Sequence, residues 1–163
     1  MKDLYISNLH HHPEYIPEVI KLIEESFNYK KDHRFEVDFY PLINKNNHQN
    51  CKILVNQKTK SLIGHIGVKK RQIIFHKSSY PISLLGGIAI KKNQRGLGYF
   101  NFFFSSILKE VCSQNTFLLL WSSEESLYEK YNFFQAGLFQ QTRQRTFDKN
   151  YFLNHGYLNT KYK

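Results

Sequence analysis

Between Phe39 and Lys109 the chain contains no aspartate or glutamate, and the same window holds twelve lysines and arginines. That window alone therefore carries +12, and the rest of the chain sums to −2, for a net charge of +10. A general base drawn from this part of the chain cannot be a carboxylate. The surplus of cations suits a polyanionic partner or nonspecific electrostatic steering. Cysteine is scarce: Cys51 and Cys112 have no framework spacing, which argues against a disulfide scaffold and leads us to expect a reduced, intracellular protein. No apolar run approaches membrane-spanning length and no signal-peptide pattern precedes the first predicted strand, so we expect a cytoplasmic protein with no membrane partner. Repeats, linkers and low-complexity tails are missing as well. The 163 residues suffice for one domain, 1–163, with a proper core. His10, His11 and His12 form only a short cluster with no further ligand nearby in sequence, so a solvated turn before Pro13 is expected and no metal site.

The apolar pattern predicts a strand over Asp3–Asn8, then a helix opened by Pro17 with Val19, Ile20, Ile23 and Phe27 on one face. An aromatic-rich segment follows (Tyr29, Phe35, Phe39, Tyr40), with a short helix expected over Glu36–Ile43 and Pro41 limiting its length. The Asn-rich stretch from Asn44 to Asn50 carries no predicted element. Strands are expected over Cys51–Val55 and Ser61–Phe75, joined by a polar turn, and after a second turn at His76–Ser79 a further strand ends at Ile90. A helix from Tyr99, a strand from Thr116 to Trp121, a short helix over Glu125–Tyr131 and strands at Leu138–Phe147 and Tyr151–Leu158 complete the series.

Residues 83–99 carry the most information. An alternating apolar strand runs into a basic turn, and Gly96-Leu97-Gly98 then opens an amphipathic helix with Phe100, Phe103, Phe104, Ile107, Leu108 and Val111 on one face. Backbone N–H groups and the positive end of a helix dipole meet there, an arrangement suited to a phosphate or pyrophosphate. Glycine keeps side chains out of the anion's way. No Gly-Lys-Ser/Thr follows, so this is not a Walker loop. Asn101 stands where a dinucleotide fingerprint needs its third glycine.

Asn93-Gln94-Arg95-Gly96-Leu97-Gly98, after Gly86-Gly87-Ile88-Ala89-Ile90, resembles the acetyl-CoA-binding motif of the GNAT superfamily, the general-control-related N-acetyltransferases. That motif is Gln/Arg-x-x-Gly-x-Gly/Ala after a Gly-Gly-Val-Ala-Val-like strand; Asn93 departs from it at the first position. Leu127-Tyr128-Glu129-Lys130-Tyr131-Asn132-Phe133 is similar to the superfamily's later Phe-Tyr-Glu-Lys-Leu-Gly-Phe segment. There Asn132 takes the glycine position, a mild change because Asn tolerates left-handed backbone. Ile63-Gly64-His65-Ile66-Gly67-Val68 resembles the third strand more weakly and extends the resemblance toward the N-terminal half.

The resemblance implies an α/β (α+β) fold, a mixed, mostly antiparallel central sheet flanked by helices, and direct transfer of an acetyl group from acetyl-CoA to an amine, with no metal. In that fold the central strands splay and the pantetheine arm lies in the gap. Ile88, Ala89 and Ile90 would then form the cofactor-binding strand, with main-chain groups of Ile88 and Ile90 holding the arm, and an N–H near Ile88 would polarise the thioester carbonyl. The loop Asn93, Gln94, Arg95, Gly96, Leu97, Gly98 and Tyr99 would bind the cofactor, with backbone amides from Arg95 to Tyr99 around the pyrophosphate. Tyr128 falls on the family's general acid, whose phenol protonates the departing thiolate; Tyr131, one turn away, is its nearest competitor.

No general base is assigned. His65 and His76 on the strands, Glu124 and Glu125 before Tyr128, Glu24, Glu25 and Asp38 near the expected acceptor side, and a relayed water all stand open. The acceptor is an unidentified amine, with Tyr29, Phe35, Asp38 and Tyr40 as lining candidates; monomer and homodimer are both open. Two other readings compete: a noncatalytic acyl-CoA sensor on the same fold, and a basic nucleic-acid-binding domain supported by charge alone. The second is ranked low, since Lys69-Lys70-Arg71 is the longest basic run and no nucleic-acid motif accompanies it.

Overall fold

Strand β2 (Cys51–Asn56) alternates between two environments, and that alternation sets the layers of the molecule. The computed structural model describes residues 3–112, 117–122 and 124–136. On one face of β2, Cys51, Ile53 and Val55 join Val19, Leu22 and Ile23 of helix α1 (Ile16–Ser26) in a single buried cluster with Leu9, Phe35, Leu42, Ile43, Leu62 and Ala89. Each Val, Leu, Ile or Phe side chain among them contributes roughly 1.5–3 kcal/mol by leaving water. Lys52 points to the other face, where its Nζ lies 2.6 Å from Glu110 of helix α4 (Tyr99–Cys112). That ion pair puts α4 on the face opposite α1. Phe103, Phe104, Ile107 and Val111 of α4 are buried, and Phe100 stacks on Phe104 with centroids 5.2 Å apart.

The sheet runs in the order β1 (Leu4–Asn8), β2, β3 (Leu62–Phe75), β4 (Ser78–Ile90) and β5 (Phe117–Leu120). The first three pairings are antiparallel and β5 joins β4 in parallel. This is the mixed, mostly antiparallel sheet with flanking helices expected from the sequence. The β3–β4 hairpin closes through His76 and Lys77, both left-handed at φ 46° and 66°, with Phe75 opposite Ser78. That is a two-residue turn, tighter than the His76–Ser79 expectation.

Two segments differ from expectation. The helix predicted over Glu36–Ile43 is two single turns, α2 (Phe35–Asp38) and α3 (Tyr40–Ile43), with Pro41 in the first turn of the second. Proline suits a helix start and cannot extend the preceding helix, so the chain breaks at Phe39. The Asn-rich stretch forms a 3-10 helix over Lys45–Asn50. Asn44 caps it by accepting from the Asn46 N–H, and buried Asn47 donates to the carbonyls of Leu42 and Val68.

The chain divides into two compact units, Met1–Glu124 and Glu125–Lys163. In the second, helix α5 covers Glu125–Glu129. The strands expected at Leu138–Phe147 and Tyr151–Leu158 lie outside the described residues, as does Thr116. No described helix is long and apolar enough to cross a membrane.

Candidate active site

The C-terminal end of β4 departs from regular sheet on both edges. On the β5 side the pairing runs from Ile82↔Phe117 to Leu85↔Leu120 and stops, while β4 continues to Ile90. Main-chain groups of Gly86–Ile90 on that edge therefore have no strand partner among the described residues. On the β3 side His65 pairs with Ala89 but Gly67 pairs with Gly86, so Ile66 faces both Gly87 and Ile88. This is a β-bulge, and Gly87 adopts the left-handed conformation at φ 57°. A side chain there would meet Ile23, Phe35 and His65 at 3.1–3.2 Å. His65 is fully buried, and its Nδ1 lies 2.7 Å from the Gly87 carbonyl oxygen. Burial pushes its pKa down to about 4 against the opposing effect of that hydrogen bond, which leaves the ring neutral near pH 7.

Beyond Ile90 the backbone turns through a 3-10 turn, Lys92–Gln94, and reaches α4. The Lys91 N–H donates to Ile63 O at 2.8 Å, and the Lys91 ammonium pairs with Glu18 of α1. Arg95 folds back: its Nε donates to Ile90 O at 3.0 Å and its Nη2 to Ser26 Oγ at 3.2 Å. Gly96 and Gly98 follow at φ 77° and 78°, and a Cβ at either would meet nothing within 4 Å. The Gly98 carbonyl accepts the first helical hydrogen bond of α4, from Phe102. Open space above two left-handed glycines at the start of a 14-residue helix is a surface that a bulky anion can approach. Between this loop and α1 lies a cleft of about 540 Å³, bordered by Glu18, Lys21, Leu22, Glu25, Ser26, Asn28, Lys91, Lys92, Asn93 and Arg95.

All the cofactor-binding residues expected from the sequence fall on this strand and loop. Ile88 is half-buried, while Ala89 and Ile90 are buried. Asn93, Arg95, Gly96, Leu97 and Gly98 are exposed, with Gln94 and Tyr99 half-buried. Tyr128 belongs to the second unit. It is buried on α5, its ring meets Phe133 edge-on at 6.1 Å, and its carbonyl accepts from the Tyr131 N–H at 2.9 Å. Asn132 is left-handed at φ 61°, as a residue in the glycine position must be. Tyr131 is half-buried, with the Lys130 ammonium 5.2 Å from its ring centroid.

The candidate bases separate by geometry. His76 sits in the hairpin turn, and at about 3.3 Å per residue β4 carries it roughly 33 Å from Ile88. His65 is enclosed and its neutral ring is a weak base. Glu24 accepts from the Phe35 N–H at 3.0 Å and so caps α2, Glu25 lies 3.9 Å from Lys21, and Asp38 lies 3.1 Å from His33. Glu124 and Glu125 are exposed. Among the acceptor-lining candidates, Phe35 is a core residue and Tyr40 is exposed. Tyr29 is half-buried, and its pKa is raised by burial and by the nearby Asp38 and Glu24 carboxylates. Among the described residues no group of three or more His, Cys, Asp or Glu is placed to hold a metal ion.

The sequence reading missed the His65–Gly87 contact and the return of Arg95 to Ile90 and Ser26. The only available signal for the first was a histidine in an otherwise apolar strand opposite a Gly-Gly pair.

Comparison with known proteins gives the same fold. A crystal structure of a Trypanosoma brucei acetyltransferase superposes with a TM-score of 0.65 at 16% identity, covering 87% of this chain and 100% of that one. The glucosamine-6-phosphate N-acetyltransferase of Arabidopsis thaliana gives 0.63 at 11% identity, over 88% and 99%. A predicted acetyltransferase with acetyl-CoA from Clostridium acetobutylicum gives 0.66 at 8%, over 86% and 96%. No curated protein matches the sequence. The family model described as the acetyltransferase (GNAT) domain matches residues 10–136, most of the chain, and the protein therefore belongs to the GNAT acetyltransferase family.

Proposed function

We propose that the protein is an N-acetyltransferase, moving an acetyl group from acetyl-CoA directly to a primary amine, as a single domain acting in the cytoplasm. The observation that carries this reading is the continuity at the end of β4. A main-chain edge with no strand partner among the described residues, Gly86–Ile90, leads within one loop to two left-handed glycines at the start of α4. The first can hold an extended amide-bearing arm by main-chain hydrogen bonds, and the second can receive a pyrophosphate. Their order along the chain fits a ligand that carries both. The open space over Gly96 and Gly98 supports the fit.

Bound acetyl-CoA supplies the acyl group as an activated thioester. The Ile88 N–H would donate to the thioester oxygen as negative charge builds there, a stabilisation worth about 10²–10³ in rate when the donor is preorganised. Backbone amides of the Arg95–Tyr99 segment would hold the pyrophosphate against the positive end of α4, and Lys91, Lys92 and Arg95 raise the local potential for an anion. Tyr128 would deliver a proton to the leaving thiolate. Glu24, Glu25 and Asp38 are engaged and His65 is enclosed, which leaves Glu124, Glu125 and solvent as acceptors of the amine's proton. The half-buried Tyr29, with Asp38 and Glu24 near it, offers an aromatic face and negative charge for an ammonium group.

The test is thiol release from acetyl-CoA in the presence of polyamines, aminoglycosides, amino acids, peptide N-termini or protein lysines. Amine-dependent release is expected for at least one class. Tyr128→Phe should lower it by about 10²-fold, with acetyl-CoA affinity unchanged. Tight acetyl-CoA binding without transfer to any amine would favour the acyl-CoA sensor, a reading supported by the lack of any carboxylate on β3 and β4. No binding at all would overturn both.

A further inference from the structure

His65 is a polar residue in a stretch of β3 that is otherwise apolar or glycine, and it is fully buried. Its Nδ1 is 2.7 Å from the Gly87 oxygen. A carbonyl oxygen can only accept, so Nδ1 carries the proton and the neutral ring leaves Nε2 as a bare acceptor. Nε2 is buried with no hydrogen-bond partner among the described residues. A ring held this way is there for its Nδ1 side. At the bulge Ile23, Phe35 and His65 pack close to the α-carbon of Gly87, and the imidazole is the donor that satisfies the Gly87 carbonyl.

The Gly87 carbonyl and the Ile88 N–H belong to one planar peptide group, and the described chain contains no cis bond. In a trans peptide the two point in opposite directions. Whatever fixes the carbonyl therefore fixes the N–H. Left-handed Gly87 has wide conformational freedom, and a register slip at the bulge would turn Ile88 to the other face. We propose that His65 is a positioning residue: by holding the Gly87 carbonyl it aims the Ile88 N–H at the place of the thioester oxygen. The inference rests on the acetyltransferase reading of the site, and it assigns that reading a residue outside the cofactor's reach.

The test combines imidazole nitrogen NMR of the full chain with the variants His65→Leu and His65→Asn. The amide of asparagine puts a donor near the place of Nδ1. The spectrum should show His65 protonated on Nδ1; protonation on Nε2 would overturn the proposal. His65→Leu should lower kcat at least about tenfold, within the range seen when an oxyanion donor is lost. Its Kd for CoA, which lacks the thioester, should stay within about twofold, and His65→Asn should recover most of kcat. A folded His65→Leu enzyme with wild-type kcat, or a folded His65→Asn enzyme no better than His65→Leu, would overturn it. If His65→Leu does not fold, His65→Gln, whose donor lies nearer the place of Nε2, replaces it with the same expectation. If the wild type transfers no acyl group, the acetyltransferase reading fails by itself and the Ile88 amide resonance judges the clamp. A shift that moves in His65→Leu and returns in His65→Asn sustains it, and one unchanged in both overturns it.

Discussion

From Lys69↔Leu84 to Phe75↔Ser78 the β3–β4 ribbon pairs without interruption, whereas between His65 and Gly67 its register breaks. The regular end closes on a tight turn and shows apolar side chains to solvent, with Ile74 78% and Phe75 61% exposed. The broken end buries Ala89 and Ile90, and on its β5 side Gly86–Ile90 has no strand partner among the described residues. Outer edges without strand partners among the described residues occur at both ends, since β2 pairs no farther along β3 than Gly67 and β5 pairs β4 only over Ile82–Leu85; what sets the broken end apart is the bulge with left-handed Gly87. Bulges and left-handed residues are costly and persist where the surroundings impose them. Here α1, α2 and His65 impose them beside the loop and cleft. Irregular backbone, more than exposed apolar surface, marks the end at which a ligand is to be sought.

The sharpest way to break this contrast is a negative charge at the loop. Gly96→Asp should lower acetyl-CoA affinity at least about 100-fold, since two like charges about 4 Å apart repel by about 4 kcal/mol at an effective dielectric of 20. Its stability should fall by no more than about 1 kcal/mol, the left-handed strain that aspartate bears better than most residues, because a Cβ at Gly96 meets nothing within 4 Å. Gly87→Ala should behave oppositely, losing about 2–4 kcal/mol of stability in urea titration. Left-handed strain supplies about 1–2 kcal/mol of that and crowding against Ile23, Phe35 and His65 the rest.

The buried imidazole gives the broken end a pH signature. His65 titrates near 4 when folded and near 6.5 when unfolded, so over that window the unfolded chain binds the extra proton. Its contribution is fully present above about pH 6.5 and is lost as pH falls toward 4, amounting to roughly 3 kcal/mol. Urea titrations from pH 7 to pH 4 should show that slope in the wild type and a shallower one in His65→Asn. Smallest of all, Ile74→Ser and Phe75→Ser at the hairpin should each change stability by no more than about 0.5 kcal/mol, with acetyl-CoA affinity unchanged. A loss of affinity there would erase the contrast between the two ends.

What could be read from the sequence was what local chemistry decides. Gly96 and Gly98 were legible because left-handed backbone before a helix calls for glycine. The α4 stripe was legible because helical spacing is local, and Asn132 because few residues besides asparagine replace glycine at positive φ. The bulge was not legible: it depends on His65 meeting Gly87 across a strand pair, and no spacing rule encodes that. Arg95 stood inside the motif, yet its side chain serves Ile90 and Ser26, partners set by how α1 packs. The 3-10 helix at Lys45–Asn50 also went unread, because its asparagines are held by carbonyls remote in sequence as well as by local caps.

The most direct test of the account is a calorimetric titration of the wild type and of Gly96→Asp with acetyl-CoA at near-physiological salt, with ADP as control. The account predicts one-to-one binding to the wild type that ADP does not reproduce, and no measurable heat from a folded Gly96→Asp protein. Equal binding by both proteins, or none by the wild type, would contradict the assignment of the β4–α4 junction as the cofactor site.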